Sequence, residues 1–430
     1  MTSLLIQNGR IIDPANGRDE MADLLIQDGR IAAIGKGLTR AGADIIDARG
    51  KIVAPGLVDL HVHLREPGFE SAETIASGTR AAAAGGFTSV VPMANTNPVV
   101  DTAAGIKFIQ ERASADAAVN VFPIAAVTRG QLGETIVEFG DLVQAGAMAF
   151  SDDGHAIMNN EIMRRALEYC AMFDVPILDH CGDVNLIGNG VMCEGEVSTR
   201  LGLPGIPPVA EAIQVARDIA LAEYVGGKVH IQHVSCALSV DFIKRGKERG
   251  VAVTAEATPH HLALTDACLE RYDSNFKMAP PLPSEEERQA IVRGLAEGVI
   301  DCIASDHAPH SATQKDKTFD EAPFGVIGSE TAFSVVYTEL VVGGTLTLPQ
   351  LIEKLSVAPA RILKLPKGTL SIGADADVTI LDTEWQGEID ESMFRSRSRN
   401  TPFLGRKVRG KAAATIVRGR VVYRDGQILV

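Results

Sequence analysis

At 430 residues the chain is too long for one ordinary domain and leaves room for two or three, or for one large barrel with an attachment. A 46% hydrophobic share with 22% charged residues is globular and excludes wholesale disorder, while 41 basic against 55 acidic residues leave −14 with His neutral. That balance excludes a sequence-independent grip on nucleic acid or anionic lipid; with no apolar run of ~18–20 residues and no secretory signal at the start, a cytoplasmic chain is expected.

Residues 1–54 carry two similar phrases, Leu-Leu-Ile-Gln-Asn-Gly-Arg-Ile-Ile at 4–12 and Leu-Leu-Ile-Gln-Asp-Gly-Arg-Ile-Ala at 24–32. Each is a short β-prone run broken by Asn-Gly or Asp-Gly, so both read as hairpins. In residues 55–365, apolar β-like runs fall near 57–62, 86–93, 119–127, 145–151, 175–180, 228–234, 250–257 and 299–305. Helical patterns such as Ala72–Ala84, Glu161–Met172, Val209–Tyr224 and Glu285–Ala296 lie between them. Eight strands alternating with helices predict an α/β fold of (β/α)8 TIM-barrel type, because parallel strands need crossovers. No Gly-x-Gly-x-x-Gly follows the first strand, which counts against an open doubly wound sheet. From 366 to 430 the style of the first 54 residues returns, so both chain ends are expected to build one small β-domain jointly.

In a barrel the chemistry gathers at the carboxyl ends of the strands. The first run ends Val-Asp-Leu-His61-Val-His63-Leu-Arg65, and residues i and i+2 of a strand share a face. Two imidazoles on one face make a seat for a divalent metal. The theme repeats: Phe-Ser-Asp152-Asp153-Gly closes the fourth run and Asp179-His180-Cys181 the fifth. His230-Ile-Gln-His233 follows in the sixth and Ser-Asp306-His307-Ala-Pro-His310 in the eighth. Separate structural roles would need a buried partner for each, whereas a metal centre satisfies them together. His61, His63 and Asp306 can hold one ion and His180 and His233 a second, with one carboxylate shared. Two ions ~3.5–4 Å apart clamp a hydroxide, and all-N/O ligation suits zinc best. Asp306 is the candidate general base and acid, since the last strand must face the first to close a barrel. Asp152 and Asp153 are adjacent, so only one can face the metals, and alternation alone leaves the choice open.

His230, three before His233, should point away and pack. His260, His261 and His307 read as orienting or structural, and His155 receives no role. The six cysteines, Cys170, Cys181, Cys193, Cys236, Cys268 and Cys302, form no C-x-x-C and read as reduced, mostly buried thiols. The stretch Ala312–Glu321, with Lys315 and Lys317, reads as a solvated loop, with a mobile cover over the site as the functional alternative.

Taken together, His61-Val-His63-Leu-Arg65-Glu-Pro-Gly, Asn95 in Met-Ala-Asn-Thr-Asn-Pro, Asp179-His180-Cys181, Gln-His233-Val-Ser and Ser-Asp306-His307-Ala-Pro-His310 resemble the dihydroorotases, in their bacterial class I type, of the amidohydrolase superfamily. The resemblance spans nearly the whole chain. It implies a (β/α)8 barrel with a small composite β-sandwich from both ends. It also implies reversible cyclisation of N-carbamoyl-L-aspartate to (S)-dihydroorotate, a step of pyrimidine synthesis. By the same likeness two zinc ions and a bridging hydroxide are expected, with His61, His63 and Asp306 on one ion, His180 and His233 on the other, and Asp153 as the bridging carboxylate. His63, Arg65, Asn95 and His310 are expected at the substrate, with Phe324 and Gly325 against its ring. One position departs: Ala279 in Lys-Met-Ala-Pro-Pro-Leu stands where such enzymes usually carry asparagine. A homo-oligomer is expected, and association with aspartate transcarbamoylase is left open. Two rival readings are a hydantoinase or allantoinase and a non-catalytic scaffold of the transcarbamoylase. The first usually bridges its metals with a carboxylated lysine, and residues 144–154 contain none. The second lacks metal ligands, which this chain keeps.

Overall fold

The computed structural model describes residues 3–430. Five strands open the chain: β1 (Ser3–Asp13), β2 (Arg18–Gln27), β3 (Arg30–Gly35), β4 (Asp44–Asp47) and β5 (Ile52–Pro55). The middle holds β6 (Leu57–Val62), β7 (Phe87–Pro92), β8 (Asn120–Val121), β9 (Ile177–Asp179), a small pair β10 (Met192–Cys193) and β11 (Gly205–Ile206), then β12 (Val229–Ile231), β13 (Val253–Ala257) and β14 (Cys302–Ile303). The chain ends in β15 (Val378–Glu388), β16 (Lys407–Val417), β17 (Arg420–Arg424) and β18 (Gln427–Ile428).

Strands from the two ends form one nine-stranded sheet, in the order β18-β17-β16-β15-β5-β1-β2-β3 with β4 on β1. Both chain ends thus build one β-domain jointly, as expected. Leu4, Ile6, Ile11, Leu24, Ile31, Val53, Val378, Ile380 and Ile416 bury one common apolar core from both ends of the chain. The two similar N-terminal phrases do different things. Asp28-Gly29 turns β2 into β3 with both residues at positive φ, as a two-residue hairpin requires. Asn8-Gly9 makes no turn. It is a bulge inside β1, where the register to β2 shifts, and a Cβ on Gly9 would stand 2.5 Å from Val53 Cγ2. The neighbouring strand, absent from any local reading, decides between turn and bulge.

The predicted helices form, Glu285–Ala296 with the expected ends and the others with ends shifted by one to three residues. The first runs Ile75–Gly85, starting later than expected because Thr74 accepts from the Ser77 N–H in a capping box. Asn159 caps Asn160–Phe173, and Ser284 caps Glu285–Ala296, whose three leading glutamates suit the helix dipole. The third expected helix spans Val209–Val225.

Of the eight expected strands, seven form ladders and the fourth does not. Residue Phe150 makes single parallel bridges to Ala125 and Ile177, and Pro123 and Pro176 remove the donors that would lengthen them. The run 119–127 is likewise reduced to β8. Parallel pairing nevertheless passes from β6 to β7 and β8, through Ala125, Phe150 and Ile177 to β9, β12, β13 and β14, and back from His307 to Val62. The ring closes with His63 N–H donating to His307 O at 2.8 Å. Its carboxyl edge therefore brings together residues up to 245 positions apart. Among the described residues no helix is long and apolar enough to cross a membrane.

Candidate metal centre and active site

Six of the predicted side chains converge at that edge. His61 Nε2 lies 3.3 Å from Asp153 Oδ1 and 3.5 Å from Asp306 Oδ1. His63 Nε2 lies 3.3 Å from Asp306 Oδ1 and 3.5 Å from Asp153 Oδ2. His180 Nδ1 and His233 Nε2 are 2.8 Å apart, and 3.6 and 3.8 Å from Asp153 Oδ1. Two sets, His61 with His63 and Asp306, and His61 with Asp153 and His233, are close enough for their donor atoms to share an ion. His180 belongs to neither triad and stands beside the second.

The donor set fits divalent cations. Asp153 Oδ1 is buried without a hydrogen-bond partner, although three imidazoles surround it. Buried polar atoms crowded together without hydrogen-bond geometry are what ligands aimed at a common centre look like. Burial raises the Asp153 and Asp306 carboxyls, but His61 and its neighbours outweigh it and hold both well below the usual carboxylate range. Both are therefore charged at neutral pH.

Asp152 and Asp153 part company. The Asp152 carboxylate accepts from Val127 N–H (2.7 Å), Thr128 N–H (3.1 Å) and the Thr128 hydroxyl, tying the fourth segment to the third. Asp153 is thereby turned into the site. Three residues there sit at positive φ: Arg65 (61°), His233 (30°) and Asp306 (45°). That conformation is costly for non-glycine residues and points their side chains out of the strand alternation.

The sequence missed Glu256, on β13. Its carboxylate accepts from His61 Nδ1 (2.7 Å), His230 Nε2 (3.2 Å) and the His233 N–H (3.3 Å). It fixes His61 with Nε2 toward the centre, the tautomer a ligand needs. A glutamate inside the apolar run Val-Thr-Ala-Glu-Ala was the available signal, because a buried charge needs a partner. His230 packs as expected, with Nδ1 accepting from the Thr254 hydroxyl. His261 donates to Pro280 O and His307 to Glu73, both structural as read. Cys181 lies in a separate buried group with Asp179, Asp218 and Arg217, where burial and the two carboxylates push its thiol up.

Above the six residues opens a cavity of about 230 Å³, lined by His63, Arg65, Asn95, Asp153, Gly154, His180, His233, Ala279, Asp306, Ala308, His310, Phe324 and Gly325. Every predicted substrate residue lines it, and His61 lies beneath. Larger depressions, of about 470 and 690 Å³, border the terminal sheet, and neither contains an imidazole. Burial lowers Arg65 to about 10, so it stays cationic at neutral pH. The Asn95 amide already accepts from His63 Nδ1 (3.0 Å) and donates to Asp153 (3.2 Å). Burial and Arg65 push His310 down to about 3, so its neutral ring donates Nε2–H to Phe324 O at 2.7 Å. The loop 312–321 is mostly exposed, as read, but Lys315 and Phe319 are buried in it, and Lys315 donates to Pro323 O and Gly325 O, both at 3.0 Å.

Residues 50–239 match the family model described as Dihydro-orotase-like. Over 422 residues, 98% of this chain and 99% of the relative, the chain is 54% identical to the dihydroorotase of Pelotomaculum thermopropionicum. It is 50% identical over 424 residues to that of Syntrophus aciditrophicus, again covering 98% and 99%. Among solved structures it resembles the L-hydantoinase (dihydropyrimidinase) of Arthrobacter aurescens, with TM-score 0.90, 27% identity and coverage of 100% and 98%. The dihydropyrimidinase of Brevibacillus agri follows at TM-score 0.88, 25% identity and coverage of 100% and 96%. Fold and site thus place the chain among the cyclic-amide hydrolases. Within them it belongs to the dihydroorotase family.

Proposed function

We propose that this chain catalyses the reversible conversion of N-carbamoyl-L-aspartate to (S)-dihydroorotate, with two zinc ions at the ring's carboxyl edge. One observation carries it: His61, His63, Asp153, His180, His233 and Asp306 meet beneath a cavity whose wall holds Arg65. The closed parallel ring is read as a (β/α)8 barrel of residues 55–365, with 1–54 and 366–430 forming the β-domain. In support, β5 ends at Pro55 in the terminal sheet and β6 begins two residues later.

When bound, the two ions would polarise the ring carbonyl and acidify the attacking water. His61, His63 and Asp306 would hold one, His180 and His233 the other, and Asp153 would lie between. In the hydrolytic direction Asp306 accepts a proton from the attacking water and returns it to the ring nitrogen as the C–N bond breaks. In the cyclising direction Asp306 takes the proton from the carbamoyl nitrogen as that nitrogen attacks the side-chain carboxyl, and returns it to the carboxyl oxygen that departs as water when the C–O bond breaks. Arg65 pairs with the α-carboxylate, and Asn95 steadies His63 and Asp153 beside it. His310 trades Phe324 O for the same carboxylate, and the Phe324–Gly325 backbone abuts the ring.

Purified protein offered dihydroorotate, hydantoin, dihydrouracil and allantoin is expected to turn over dihydroorotate, with two metal ions per chain by elemental analysis. Turnover of hydantoin without dihydroorotate would sink the reading. Ala279 lines the cavity where an asparagine side chain would reach the substrate. Ala279→Asn is therefore expected to lower KM for dihydroorotate about tenfold, one added hydrogen bond to a charged ligand. An unchanged KM would show that a neighbour or water already fills that role.

A further inference from the structure

The connection between β15 and β16 leaves the terminal sheet and reaches back to the site. Ser398 Oγ donates to Ala72 O at 2.7 Å and Ser396 Oγ to Glu73, so the segment is pinned against the loop after β6. Asn400, 4% exposed, follows. Its amide makes three hydrogen bonds, all to backbone groups of the two loops that form one wall of the cavity. Oδ1 accepts from the His310 N–H (3.1 Å), and Nδ2 donates to Ala308 O (3.2 Å) and Gly325 O (3.0 Å). In this orientation the amide gives each of the two carbonyls a donor and the N–H an acceptor. The Asn400 carbonyl accepts from the Ile327 N–H at 2.9 Å. Lys315 Nζ also donates to Gly325 O, so that carbonyl has two donors.

The joint tolerates little displacement. Gly325 has φ +130°, and a Cβ there would stand 2.9 Å from His310 Nε2 and 3.0 Å from Ala308 O. Asn400 itself does not line the cavity and is not among the metal-binding groups. We propose that Asn400 is a positioning residue: from outside the ring it locks His310 and Gly325 in register and so sets affinity for the anionic end of the substrate, not the rate of proton transfer. This rests on the reading of His310 and Gly325 as substrate contacts. With the His310 backbone held by Asn400, its ring can exchange Phe324 O for a carboxylate without the loop moving.

Asn400→Ala is expected to raise KM for dihydroorotate about tenfold or more, with kcat within about threefold, the pattern of lost uniform binding. Bound metal should equal that of the wild type. Hydrogen exchange at the His310 amide and across 324–327 is expected to quicken in the same variant, a readout that needs no substrate. If Asn400→Ala fails to fold, Asn400→Asp, which keeps the acceptor and loses both donors, is measured the same way. An unchanged KM overturns the role in affinity, and unchanged exchange overturns the clamp. Loss of kcat together with metal overturns both, since Asn400 would then merely support the centre. Should the wild type not turn over dihydroorotate, the functional reading fails, while the exchange result still decides the clamp.

Discussion

Asp306→Ala is expected to lower kcat by about 10²–10⁴-fold, the usual contribution of a general acid–base group, with product affinity within a few-fold of wild type. The carboxylate lies at the last strand's end, 3.3 Å from His63 Nε2 and 3.5 Å from His61 Nε2. Burial would neutralise it, but those imidazoles keep it ionised and ready to accept a proton. Its positive φ turns the side chain over the site at the cost of local strain, and the alanine variant keeps that backbone while losing the acceptor. Arg65 and His310 remain, so the substrate's charged end is still held. Steady-state kinetics with product binding by calorimetry checks this; near-normal kcat removes Asp306 as the base.

Glu256→Gln should weaken metal binding about 10–100-fold, as lost outer-sphere carboxylates do. It should also lower the stability of the metal-free protein by about 3–5 kcal/mol, the cost of stripping one partner from a buried charged pair. Glu256 serves both halves of the centre, through His61 Nδ1 and the His233 N–H. In the metal-free protein burial disfavours a charged His61, but Asp153, Asp306 and Glu256 outweigh this and raise it well above its ordinary value. Burial opposes ionisation of Glu256 too, yet His61 and His230 hold its carboxyl down at about 2 against an ordinary 4.5. A lowered carboxyl binds fewer protons folded than unfolded. Its stabilisation is therefore fully present above about pH 4.5 and lost as pH falls toward 2. Chelator competition and urea unfolding between pH 2 and 6 measure both effects. A variant with wild-type metal affinity and unchanged acid sensitivity would contradict the role.

Much of the site was legible because it lies at strand ends, where alternation is simple. His61 and His63, two apart, had to share a face, and polar residues closing apolar runs had to find partners or a metal. Helices were legible in extent, two of them to their first residue at Val209 and Glu285, while Thr74 and Asn159 shifted the starts of the other two through side-chain hydrogen bonds. Glu256 was overlooked because a lone acid in a strand becomes informative only when its partners are known. Lys315 reads as solvated in a polar loop, yet it is buried against the carbonyls of Lys277, Pro323 and Gly325.

The linear chain by itself determined the composition, the alternation of strands and helices, the metal-binding residue types and the likeness over nearly its whole length. All of these are local or periodic properties, readable without knowing any neighbour. Tertiary structure alone decided which of Asp152 and Asp153 faces the centre, by giving Asp152 the backbone of Val127 and Thr128 to bind. It also decided that Asn8-Gly9 bulges where Asp28-Gly29 turns, and that Asn400 reaches Gly325 from 75 residues away. Each outcome depends on which strand or loop lies alongside, and ring closure and the shared terminal sheet set that, not the residue's own sequence neighbours.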